Sequence, residues 1–544
     1  MPRKTTVKAQ PKKPAAKKAK KPVSLKSEIK AICDIMRRSN CAGAMQYVPE
    51  LTWLLFLRIL DIREANEAET AEALGSDFLP SLQEPYRWQD WACPNGEKRK
   101  ELTSEGAPLG AYFDFVGKKL LPHLKALREV PGATPRQKVI SEILSGVERV
   151  RIDTEKNLLD VLDKVDNLSE GNLDDTHSFT MSQIYEELLL KMGEKGNDGG
   201  QFFTPREIVR VIVRTIDPKP GCTVFDPCCG TGGFLVQAYI YMLAIAEKQG
   251  ADAITALKHN TLYGREKENL IYPITLANMV LHGIEQPSVW HGNTLTGTEV
   301  YGGLYQNAPS QFDVILTNPP FGGKEGKEAK TDFAYKTGST QVLFLQYVID
   351  SLNSGGHCGI VLDEGILFRT NETAFVKTKR KLLDECNVYA IISLPGSVFA
   401  GAGAGVKTNI VFFTKGSRTE QIWYYDLSDI KVGKRTPMTM DKFNEFFELL
   451  PSKADSERSW TVKRDALETS NFDLKAVNPN RKARVDTRTT QDLIATIETK
   501  QADIASAVAE LKSDIETALE YTHVLSDTKQ RTRKQETGGI HDYS

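Results

Sequence analysis

The chain has 544 residues, too many for one hydrophobic core, so the sequence predicts two folded domains with appendages. With 40% hydrophobic and 26% charged residues, its composition is that of an ordinary globular protein, which excludes wholesale disorder. The formal net charge of -1 says little about partners, because the charge is unevenly spread.

Residues 1–23 are expected to form a disordered basic tail, since positions 1–22 hold nine Lys or Arg and no acid, interrupted by Pro11, Pro14 and Pro22. Such a run stays solvated and either touches phosphates through salt-sensitive attraction or serves only solubility. Residues 24–165 read as an N-terminal all-α domain, with Leu25, Ile29, Ile32 and Met36 at helical spacing and Trp53, Trp88 and Trp91 as core anchors or else a partner surface, core being the reading preferred. The most apolar stretch, Leu51 to Leu60, contains Thr52 and Arg58 and is too short to span a bilayer. The basic start lacks the apolar run of a secretory signal, so no membrane association and a cytoplasmic location are expected. Eight cysteines are scattered along the chain. Their only close pair, Cys228 and Cys229, is adjacent, a spacing used neither by metal sites nor by disulfide frameworks. No metal is expected.

A stretch rich in Gly, Asn, Asp and Glu between Lys191 and Gly200 marks a joint. Beyond it, within an expected catalytic domain at 166–484, strands and helices alternate. A helix is predicted over Glu207 to Thr215, a strand at Thr223 to Phe225 and a helix over Phe234 to Ala246. Further strands are predicted at Thr261 to Tyr263, Phe312 to Leu316, Cys358 to Leu362, Val388 to Leu394 and Asn409 to Phe413. This alternation predicts an α/β fold with a mostly parallel sheet and helices on both faces. In the last region, 485–544, Ile494, Ile497, Ile504, Val508, Leu511, Ile515 and Ala518 follow a three-four spacing with Gln501 in the seam. So narrow a stripe predicts a long helix that pairs with another helix.

Four segments carry chemistry. Asp226-Pro227-Cys228-Cys229-Gly230-Thr231-Gly232-Gly233-Phe234 lies where a strand becomes a helix, and its glycines let backbone amides approach a ligand. It fits neither the three-glycine dinucleotide fingerprint nor a phosphate-binding loop, which points to adenosine and an amino acid instead of a pyrophosphate. Glu266, in Tyr263-Gly264-Arg265-Glu266, ends the next strand, where a carboxylate can accept bonds from ribose hydroxyls. Asn318-Pro319-Pro320-Phe321 follows the strand at Phe312 to Leu316. There the Asn318 amide oxygen and the Pro319 carbonyl can accept both hydrogens of one amine, and Phe321 offers a face for stacking an extruded base. Gly200-Gln201-Phe202-Phe203-Thr204-Pro205-Arg206 could cover a cofactor, with Pro205 starting a helix.

In this order the segments resemble the modification (M) subunits of type I restriction-modification systems, from about residue 25 to the C-terminal helix. The resemblance implies a Rossmann-like S-adenosylmethionine-dependent methyltransferase domain that acts on adenine N6 in double-stranded DNA. It also implies a separate specificity (S) subunit, reached through the C-terminal helix, a restriction (R) subunit, and two M subunits per S subunit. Cofactor contacts implied by the resemblance are Gln201, Phe202, Phe203, Thr204, Pro205, Arg206, Thr231, Gly232, Gly233 and Glu266; Asp226 and Gly230 complete the turn. Asn318, Pro319, Pro320 and Phe321 match the catalytic loop. Asn293, in Gly292-Asn293-Thr294-Leu295, stands where many relatives carry Asp beside the cofactor's adenine, and Asp363 where relatives often carry Pro. The alternatives are methylation of cytosine N4 or of a protein glutamine by the same loop, or a non-catalytic DNA-binding scaffold.

Overall fold

The computed structural model describes residues 25–168 (except 42), 204–399 (except 327, 328, 330 and 331), 406–480 (except 434, 435 and 476) and 489–537. The basic tail and Gln201, Phe202 and Phe203 lie outside the described residues. Contacts divide the chain into one compact unit ending at Asn480 and a second beginning at Arg481.

The N-terminal part of the first unit is helical, with major helices at Leu25–Arg38, Ala44–Leu74, Pro135–Ser145 and Glu155–Asn167. Ile29, Ile32 and Met36 are buried as their spacing requires. Trp53, Trp88 and Trp91 are buried in mutual contact, Trp53 stacked on Trp91 and Trp88 edge-on to it. Thr134 caps Pro135–Ser145 reciprocally with Gln137, so the helix begins where its first free amides find acceptors. Arg136 on this helix pairs with Glu67 at 2.7 Å and reaches Glu285 of the sheet region at 3.8 Å.

The sheet holds ten strands: β1 (Val224–Asp226), β2 (Leu262–Glu266), β3 (Ser288–Asn293), β4 (Thr298–Tyr301), β5 (Phe312–Thr317), β6 (Leu352–Asp363), β7 (Cys386–Ser393), β8 (Thr408–Lys415), β9 (Gln421–Asp426) and β10 (Ser459–Lys463). Their order is β10-β9-β7-β8-β6-β5-β1-β2-β3-β4. All but β4, β8 and β10 run the same way, so the sheet is mostly parallel as expected. Strand β1 is wholly buried at the centre, paired through Phe225 to Tyr263 of β2 and Ile315 of β5. The chain runs outward from β1 through β2, β3 and β4 on one side and then crosses back to β5 on the other, a reversal that opens a crevice at the carboxyl ends of these strands.

Strands β3, β4, β9 and β10 were not among the expected elements. β3 mixes Trp290, His291 and Gly292, and β4 is an exposed edge, so neither carries an apolar run. Asp363 ends β6 and caps the short helix Glu364–Phe368, its Oδ1 accepting the Ile366 amide at 3.0 Å. In the second unit Thr490–Thr537 is one helix, on which Leu493, Ile494, Ile497, Ile504, Val508, Leu511 and Ile515 are exposed. Among the described residues no helix is long and apolar enough to cross a membrane.

Candidate active site

The carboxyl ends of β1, β2, β3 and β5 surround a cavity of about 260 Å³. The turn after β1 contributes Pro227, Cys228 and Gly230 to its wall; β2 and its exit contribute Arg265 to Glu268, and β3 contributes Asn293. Asn318 and Pro320 close it from the β5 side.

The turn is held from behind. Gly232 sits at φ +80°, a left-handed conformation that L side chains rarely adopt, and an added Cβ would lie 3.2 Å from the Thr275 methyl. Thr275 and Asn278 belong to helix Tyr272–Leu281, every residue of which is buried. The Thr275 hydroxyl donates to the Gly230 carbonyl, and Asn278 Nδ2 donates to the Thr231 carbonyl at 2.8 Å. Thr294 adds a bond to the Pro227 carbonyl at 2.6 Å. With these carbonyls engaged by the scaffold, the turn has a fixed backbone. The Arg206 guanidinium lies so close to Gly233 that a Cβ there would meet Nη1 at 2.8 Å. Pro205 stands at the cap of helix Arg206–Ile216, one residue earlier than the expected start inside it.

Glu266 is buried and accepts three backbone amides: Gly230 at 2.8 Å on Oε2, and Lys267 at 2.9 Å and Glu268 at 2.8 Å on Oε1. Burial pushes its carboxyl up to about 7 against the pull of those amides. About one acceptor position remains for a ligand at the cavity that Glu266 lines, since a carboxylate has about four and three are filled. Asp226 takes the Thr317 hydroxyl at 2.7 Å and the Cys228 amide at 3.2 Å, and burial raises its carboxyl to about 7 as well. It ties β1 to β5 behind the turn and does not line the cavity. Burial, followed by the neighbouring carboxylates, holds the Cys228 and Cys229 thiols well above the ordinary range, so neither is an activated nucleophile. Asn293 lines the cavity while its Oδ1 accepts the Leu295 amide at 3.0 Å.

Asn318 donates from Nδ2 to the Thr204 hydroxyl at 3.0 Å, which turns its Oδ1 the other way. That oxygen is buried and has no hydrogen-bond partner among the described residues. Thr204 therefore meets the Asn318 loop, a pairing that a cofactor-lid reading of its segment did not foresee. The Pro319 carbonyl accepts Gln341 Nε2 at 2.9 Å. Phe321 is half-buried, edge-on to Phe399 with ring centres 5.3 Å apart, and stands outside the cavity wall. Sequence reasoning missed Thr275, Asn278 and Gln341. Their one visible signal was a polar residue within a largely apolar helix.

A model of the N-6 DNA methylase family matches residues 176–488, and one of the HsdM N-terminal domain matches residues 25–126. The type I restriction enzyme EcoEI methylase subunit of Escherichia coli is 34% identical over 515 residues, covering 91% of this chain and 99% of that protein. The StySPI methylase subunit of Salmonella potsdam is 30% identical over 431 residues, covering 76% of this chain and 74% of that protein. A solved structure from work on assembly and conformational transition of the type I restriction-modification system superposes with a TM-score of 0.70 at 35% identity. It covers 91% of this chain and 98% of its own. The chain belongs to the N-6 DNA methylase family, among the methylase subunits of type I restriction enzymes.

Proposed function

We propose that the chain transfers the methyl group of S-adenosylmethionine to adenine N6 in double-stranded DNA, as the modification subunit beside separate specificity and restriction subunits. The observation that carries this reading is the buried Asn318 Oδ1, without a hydrogen-bond partner among the described residues, at the wall of the cavity that also holds Gly230 and Glu266. A buried acceptor without a donor costs about 1–3 kcal/mol, and an amine seated there would remove that cost.

The residues present fit the cofactor: Glu266 offers a buried carboxylate to ribose hydroxyls, Asn293 an amide to a purine edge, and the Gly230 turn a close backbone. When bound, S-adenosylmethionine supplies an electrophilic methyl group on a sulfonium. Asn318 Oδ1 and the Pro319 carbonyl each accept one hydrogen of the target amine, which localises the nitrogen lone pair and aims it. Phe321 stands beside this loop, where its ring can meet an extruded base after a modest turn. Thr204 keeps the amide oxygen of Asn318, not its nitrogen, toward the amine. The exposed seam of Thr490–Thr537 would pair with helices of the specificity subunit, with two copies of this chain per complex.

The test is co-expression with the neighbouring reading frames, purification of the complex, and mass spectrometry of nucleosides from treated DNA. N6-methyldeoxyadenosine at a defined sequence, absent with Asn318→Ala, is expected. N4-methyldeoxycytidine, or wild-type transfer by Asn318→Ala, refutes the reading.

A further inference from the structure

Two glutamines interrupt helix Thr340–Ser351, and both are buried. Gln346 binds both the amide and the carbonyl of Tyr335 at 3.0 Å and so pins a loop. Gln341 does something different: it bridges the ends of two adjacent parallel strands. Its Nε2 donates to the Pro319 carbonyl at 2.9 Å, just past β5, and its Oε1 accepts the Asp363 amide at 3.0 Å, at the end of β6. Asp363 is fixed in turn by capping Ile366. One amide group thus sets the direction of the Pro319 carbonyl against a braced point. Since a carbonyl has two lone pairs, the bond leaves one for another donor.

Resting on the functional reading above, we propose that Gln341 is a positioning residue for methyl transfer, orienting the Pro319 carbonyl toward the target amine. Gln341→Glu separates this role from simple packing. The variant keeps the side-chain length and the acceptor for the Asp363 amide, but sets an oxygen against the Pro319 carbonyl. Ionised, it repels that carbonyl, with the neighbouring Asp363 carboxylate adding to the negative charge; protonated, it donates to it again. A buried carboxyl titrates above its ordinary value of about 4.3, so the change falls within an assayable range.

Single-turnover transfer by the assembled complex is measured from about pH 5.5 to about pH 8.5, with cofactor affinity by calorimetry and the thermal midpoint alongside. The rate of Gln341→Glu relative to wild type should fall about tenfold or more as pH rises, while cofactor affinity stays within about twofold. Gln341→Met, which lacks both bonds at every pH, should lose about ten- to a hundredfold in rate with no new pH dependence. A pH-independent rate ratio in the first variant, an unchanged rate in the second, or a loss that tracks cofactor affinity and thermal midpoint overturns the proposal. Failure of the wild-type complex to methylate adenine, or activity of Asn318→Ala, removes the functional reading instead and this inference with it.

Discussion

Replacing Glu266 with Gln tests whether this carboxylate holds the cofactor. The shape is kept, but only one oxygen remains. It belongs where the Lys267 and Glu268 amides converge at 2.9 and 2.8 Å, which turns the new NH2 group toward the Gly230 amide. One hydrogen bond to a charged acceptor, about 1.5–3 kcal/mol, is lost at the turn, equivalent to about ten- to a hundredfold in affinity for a ligand that needs it. Folding stability responds differently. The native carboxyl is raised to about 7, so its contribution is fully present below its unfolded value and lost as pH rises through about 7. Above that pH the wild-type charge is itself costly to bury, and neutral Gln relieves a cost similar to the bond it loses. The thermal midpoint should therefore move by only a few degrees at about pH 8, while S-adenosylmethionine affinity, measured by calorimetry, falls. The ionised form is the better acceptor, so wild-type affinity should rise with pH through about 7 and then level off, and the variant should lose that rise. Asp226 is also raised to about 7 but lies behind the turn, so any residual pH dependence in the variant reports on it. Affinity within about twofold of wild type, or a flat wild-type profile, refutes the reasoning.

Gly232→Asp places a side chain at φ +80° and pushes it onto Thr275, at a cost of about 1–2 kcal/mol for the conformation alone. Both cofactor binding and transfer should disappear, and retained binding in calorimetry would argue against the turn as the ligand's seat. Asn278→Leu frees the Thr231 carbonyl without touching the cavity and should lower cofactor affinity by about tenfold; an unchanged affinity would show that the brace is dispensable. Asn318→Ala loses the bond to Thr204 but also removes an acceptor that has no partner among the described residues, so denaturant unfolding should report a stability within about 1 kcal/mol of wild type. A large destabilisation would mark Asn318 as a structural residue.

The central sheet was legible because β1, β5 and the Cys358 to Leu362 part of β6 are largely buried on both faces and read as apolar runs. The expected strand at Thr223 to Phe225 is one residue out of step with β1, and Cys358 to Leu362 is the inner half of a longer β6. Strands β9 and β10 escaped notice although Trp423, Tyr424 and Trp460 favour strands, because both runs are short and β9 lacks the alternation that separates a strand from a buried helix segment. At the site, Gly230, Glu266, Asn293 and Asn318 do meet at one cavity, since each stands at the carboxyl end of a parallel strand or just past it. Asp226, Thr204 and Pro319 were harder to place, because their partners come from distant segments: Thr317, Asn318 and Gln341. No local pattern encodes a hydrogen bond between segments 22 to 114 residues apart in the chain.

Charge explains why amides stand where carboxylates would serve as acceptors equally well. Asp226 and Glu266 already place two buried carboxyls at this edge of the sheet, each pushed up to about 7 by burial. A third negative charge at 318, next to the Thr317 hydroxyl that Asp226 holds, would raise all three further and leave protonated acids where acceptors are needed. Asn318 avoids this: its oxygen accepts at every pH, and its nitrogen, spent on Thr204, leaves that oxygen as the atom open to the amine of the proposed reaction. The same reasoning covers Asn293, where an aspartate would share the cavity wall with Glu266 and Glu268. Its neutral amide keeps an acceptor for the Leu295 amide and adds a donor at no electrostatic cost to Glu266.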